Sequence, residues 1–175
     1  MSAVLGLRAK TGRAIAVVLA GTRQKPQFVA RREISLVDPA IEATAQPYHA
    51  VMEMPWPEAT VAVRPAIAAI ENVATAAVRA LAREFDLQAV GVVGAPDRNL
   101  ARIGNVHIRA HAAEGVLFRR VLEVAAEQNA LRHCAFTETE LPRDLTALLA
   151  DLGRDAGKPW RSDEKMAATA ALLLL

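Results

Sequence analysis

A chain of 175 residues that is 53% hydrophobic but only 4% aromatic can bury one core, and that core must be built from small and branched aliphatic side chains. Such a composition excludes a disordered chain, and a formal charge of +2, with Lys and Arg scattered rather than in runs, permits nucleic-acid binding without indicating it. The single Cys134 excludes an intramolecular disulfide; its setting in "HCAF" predicts a buried thiol and fits a reducing cytosol.

Residues 3 to 9 and 13 to 20 are strand-like runs separated by "KTG", a hairpin with Gly12 in the turn. Arg8, Lys10 and Arg13 interrupt the N-terminus ahead of "AIAVVLAG", which is too short to span a bilayer, as is the closing "AATAALLLL". No membrane contact is expected, and the chain reads as cytoplasmic and unprocessed. A third run, Gln27 to Asp38, completes a meander of three antiparallel strands. From 39 to 65 the prolines Pro39, Pro47, Pro55, Pro57 and Pro65 mark an irregular excursion, with a short helix expected over Tyr48 to Met54.

Pro65 opens a helix in which Ile67, Ile70, Val73 or Ala74, Ala77 or Val78, Leu81 and Phe85 recur at helical spacing. "QAVGVVGAP" then reads as a short, buried, parallel central strand. A second long helix follows over "VHIRAHAAEGVLFRRVLEVAAEQNA", on which Arg119, Arg120 and Glu123 predict an exposed, ion-paired face. A further strand is expected in "LRHCAFTETEL", then a helix opened by Pro142 and closed by Gly153. The last helix is expected to have Ser162 as N-cap and Asp163 and Glu164 in its first turn. The order is β-β-β-α-β-α-β-α-α in a single domain, 1 to 175: an α/β fold with a mixed sheet covered by helices.

With "LGLRAKTGRAIAVVL" as opening strand, turn and second strand, and "PWRSDEKMAATAALLLL" as final helix, the chain resembles the ribonuclease H-like superfamily. Within it the resemblance points to the RuvC-like Holliday junction resolvase branch. It implies a mixed sheet of three antiparallel strands followed by parallel ones. It also implies nuclease chemistry by several carboxylates converging on one or two divalent ions, usually magnesium. The first-strand aspartate of that pattern aligns with Arg8, a permanent cation, and the acid expected before the "AA" pair of the final helix aligns with Met166.

The acids that remain as catalytic candidates are Glu114, Asp163 and Glu164. Asp163 and Glu164 also have a simpler reading as first-turn acids that complement the helix dipole. His107, His111 and Glu114, spaced four and three apart, share one helical face and form a candidate metal set that lacks an evident fourth ligand. Arg8, Lys10 and Arg13 around the first hairpin are candidate phosphate-binding groups, or else a solvated turn. "YHAVMEMPWP" suits either a partner surface or a lid on the domain's own core.

The reading is a bacterial-type ribonuclease H-like domain that lacks nuclease activity and serves in binding or assembly. Its alternative is a divalent-metal-dependent nuclease with a rearranged carboxylate site, and an actin-like or sugar-kinase-like half domain ranks behind both. No cofactor is expected for the first reading, and magnesium or manganese for the alternative. Nucleic acid or a protein is the partner class. A homodimer is expected if Trp56 and the terminal "LLLL" expose apolar surface.

Overall fold

A computed structural model describes residues 3 to 175. Among them run β1 (Ala3–Lys10), β2 (Arg13–Thr22), β3 (Lys25–Ser35), α1 (Trp56–Ala62), α2 (Arg64–Phe85), β4 (Leu87–Val93), α3 (Val106–Gln128), β5 (Arg132–Phe136), α4 (Thr146–Ala156) and α5 (Ser162–Leu172). The strands form one sheet in the order β3-β2-β1-β4-β5. The first three are antiparallel, whereas β4 runs parallel to β1 and β5 parallel to β4.

Alternation along β1 sorts its side chains between two cores. Leu5 and Leu7 join Val90 and Val92 of β4, the stripe Ile70, Ala74, Val78 and Leu81 of α2, and Phe118, Val121 and Leu122 of α3. Val4 faces the other way, into a core with Val17, Leu19, Leu152 of α4 and Ala167, Ala168 and Ala171 of α5. The result is three layers, with α2 and α3 on one side of the sheet and α4 and α5 on the other. By length and composition α2 could cross a membrane, but its apolar stripe is buried in the first of these cores.

The same period of two puts Gly6, Arg8 and Lys10 on the α5 side of β1. A Cβ on Gly6 would lie 1.8 Å from the carbonyl oxygen of Ala167, and one on its β4 neighbour Gly91 would lie 2.7 Å from that of Ala170. Backbone therefore meets backbone here, and only glycine on the strands with alanine on the helix permits it. The close seating carries the first turn of α5 over the C-terminal end of β1.

Several sequence expectations need correction. The stretch 48 to 54 forms turns, and the short helix lies later at α1, with Pro57 in its first turn. The helix expected from Pro142 to Gly153 is α4, which ends at Gly157 with φ 67°. Gly153 stays inside it because Trp160 packs against that position and donates its indole N–H to the Leu149 carbonyl, 2.9 Å away. Arg161, rather than Ser162, caps α5. Cys134 is exposed because β5 is a short edge strand with only one neighbour. The terminal leucines are not a bare patch: Leu172 is buried, and Leu174 and Leu175 pack on the α4–α5 core.

Candidate functional site

At the C-terminal end of β1, Arg8 is nearly buried, with 11% of its side chain exposed, between the apolar register partners Ile15 of β2 and Val93 of β4. Its guanidinium pairs with Glu138, on the turn that follows β5, and its Nε donates to Asp163 Oδ1 at 3.4 Å. Lys10, two residues on and on the same face, places Nζ 3.3 Å from Asp163 Oδ2. The apolar floor beneath the guanidinium keeps water from screening these attractions fully.

This donor set does not fit a magnesium or manganese ion. Such an ion needs several free oxygen ligands, but the acids gathered here already neutralise two fixed cations, and Arg8 would repel a third. Nor do Glu114, Asp163 and Glu164 converge. Asp163 lies with Arg8 and Lys10, while Glu164 Oε2 accepts the Arg161 backbone N–H at 2.9 Å and closes the start of α5. Glu114 belongs to α3, across the sheet. The expected phosphate cluster is likewise paired: besides the contacts of Arg8 and Lys10, Arg13 lies 3.6 Å from Glu33.

A second cluster forms where the proline-rich excursion meets α3. Glu114 is fully buried, and its Oε1 accepts the backbone N–H of His49 at 3.2 Å and faces His49 Nδ1 at 2.8 Å. One and two turns earlier on α3, His111 and His107 bring their Nε2 atoms to 3.1 Å. One ring nitrogen from each of His49, His107 and His111 lies within 4.8 Å of the others. The sequence spacing thus placed His107, His111 and Glu114 on one face, but the third imidazole beside the pair is His49, and Glu114 stands behind it.

His49 is held there by its neighbours. Tyr48 stacks on Trp56 with ring centroids 5.6 Å apart, and Arg109 of α3 lies 5.1 Å over the same indole. Burial of Tyr48 pushes its phenol above the ordinary value. "YHAVMEMPWP" therefore folds onto the domain as a strap. Further along α3, Arg119 contacts Glu123 at 2.9 Å, as the spacing predicted, and Arg119 and Arg120 both reach Asp97, but Arg119 is nearly buried and only Arg120 lies on the expected exposed face. Sequence reasoning missed His49 and Glu138. Both lie in irregular segments, where no periodicity says which way a side chain points.

No family model and no curated protein matches this sequence. Solved structures do match in three dimensions. The RuvC of T. thermophilus in complex with a Holliday junction substrate is 16% identical, with a TM-score of 0.58 over 98% of this chain and 91% of that one. A second Thermus thermophilus RuvC structure is 15% identical, with a TM-score of 0.57 over 97% and 90%. The chain has a RuvC-like, ribonuclease H-like fold along nearly its whole length.

Proposed function

We propose that this chain is a binding or assembly domain that keeps the ribonuclease H-like frame without metal-dependent nuclease turnover. One observation carries the reading: a guanidinium, Arg8, stands on β1 where the resemblance calls for an acid, and it pairs with the acids Asp163 and Glu138. The similar RuvC structure holds a Holliday junction substrate, which makes branched DNA the first ligand to offer this chain. A protein partner, including a second copy of the chain, comes next.

The test incubates the full chain with a four-way DNA junction and with an RNA–DNA hybrid in millimolar magnesium or manganese. The expected result is retention of the junction on a native gel with the strands intact. Metal-dependent cleavage abolished by Asp163→Asn would overturn the reading and restore a rearranged nuclease site. An intact but unretained junction would direct the search to protein partners. Light scattering across micromolar concentrations would then show whether the partner is a second copy.

A further inference from the structure

We propose that the imidazoles of His49, His107 and His111 bind one divalent transition-metal ion, zinc foremost, with the buried Glu114 carboxylate orienting His49. The site is separate from the Arg8 cluster and does not depend on the reading given above.

Three observations converge. The first is reach. A tetrahedral ion with Zn–N bonds of about 2.0 to 2.1 Å needs its nitrogen ligands about 3.3 to 3.4 Å apart. The Nε2 atoms of His107 and His111 already stand 3.1 Å apart, and the third imidazole offers a nitrogen within 4.8 Å, so one ion could draw all three together. Helical spacing fixes the pair, because residues four apart on α3 share a face.

The second is orientation. Among the described residues, His49 Nε2 is buried and has no hydrogen-bond partner, while Nδ1 is engaged by Glu114. A carboxylate on one ring nitrogen fixes the tautomer and leaves the other nitrogen's lone pair to a metal. The third is charge. Glu114 is fully buried, and its Oε2 also lacks a partner among the described residues. A carboxylate in that position calls for positive charge nearby, and an ion on His49 would supply it through the ring.

Imidazole nitrogens suit zinc, copper and nickel rather than magnesium or calcium, so the ligand class follows from the donor type. Three nitrogens leave a fourth coordination position. It opens outward, since His107 and His111 are exposed and a shallow depression lined by Glu42, Gln46, His49 and Ala50 adjoins the site. A water or a small anion would complete the shell. Because His49 comes from the excursion and the other two from α3, the ion would pin the strap to the domain.

The experiment strips the full-length chain with a chelator and titrates it with zinc against a chromophoric competitor, then with cobalt to read the absorption of a tetrahedral centre. One equivalent is expected to bind. His107→Ala and His111→Ala, both at exposed positions, should keep the circular dichroism of the wild type and should each weaken binding at least about 100-fold. Glu114→Gln, which retains all three ligands, should weaken it about 10- to 100-fold. His133→Ala, on β5, should leave it unchanged. Zinc should raise the unfolding temperature of the wild type but not of the His107→Ala variant. Absence of a stoichiometric site in the wild type, or unchanged affinity in either exposed-histidine variant, would overturn the proposal.

Discussion

Two polar clusters of this molecule, at the end of β1 and under the strap, treat their acids in opposite ways. At the end of β1, Asp163 and Glu138 meet Arg8 and Lys10, so each charge finds a fixed opposite charge. Under the strap, Glu114 is buried more deeply than either, yet it meets only His49, and both partners keep an unpaired buried atom among the described residues. A carboxylate in a ribonuclease H-like frame is therefore not evidence of a metal until its partners are known. Here the acids of the closed cluster are already paired with Arg8 and Lys10, while the incomplete one has the donors for a softer ion.

The largest expected effect comes from disturbing the frame that holds the closed cluster. Gly6→Ala drives a methyl into the Ala167 carbonyl, and backbone cannot yield as a side-chain tip can. Thermal or denaturant unfolding should show a loss of about 3 kcal/mol or more. The α5 turn that carries Asp163 should move away from Arg8.

Reversing the charge at Arg8 would sharpen the contrast. Arg8→Asp places an acid beside Asp163 and Glu138, with Lys10 as the remaining neutralising group. Without metal it should cost about 2 kcal/mol, since two acids lose their shared partner. Millimolar manganese should recover part of that loss in the variant and none in the wild type, as read by unfolding temperature. A variant indifferent to manganese would show that the surrounding geometry, and not Arg8 alone, excludes the ion.

The smallest effect is expected at Arg120, whose exposed side chain reaches Asp97 at 3.1 Å. Its hydrogen bond, with help from Arg119, holds the Asp97 carboxyl below the ordinary aspartate value. Stability from such a shift is present above the unfolded-state value and is lost as pH falls through the depressed one. Asp97 is solvent-exposed, so Arg120→Ala should change stability by less than about 0.5 kcal/mol. Carboxylate titration by NMR should show the Asp97 midpoint rising toward its ordinary value.

Much of the frame was legible because short-range periodicity decides it. The strand-like runs on either side of "KTG" marked the first hairpin, and the apolar run "AVGVV" marked β4 as an interior parallel strand. The odd residue at Arg8 stood out through the resemblance of the first strand, and helical spacing put His107, His111 and Glu114 on a shared face. What remained hidden depends on contacts far apart in the chain. His49 reaches Glu114 from an excursion whose path is set by Tyr48 and Trp56 rather than by any repeat. Glu138 meets Arg8 across 130 positions. Cys134 looked buried because "HCAF" resembles a core strand, but an edge position leaves it facing solvent.

The seating of α5 on Gly6 and Gly91 also bears on how the chain is made. Strand β1 carries Val4 and Gly6 on a face that is covered by residues of α4 and α5, which follow every strand of the sheet in the chain. Such distant pairings are costly to close and slow the search for the native state. The α2–α3 side of the sheet can assemble while synthesis continues, but the opposite core must wait for Ala167 to Leu172. Until then the nascent chain has one finished apolar layer and one open one, and for that interval the open face is where a chaperone has something to hold.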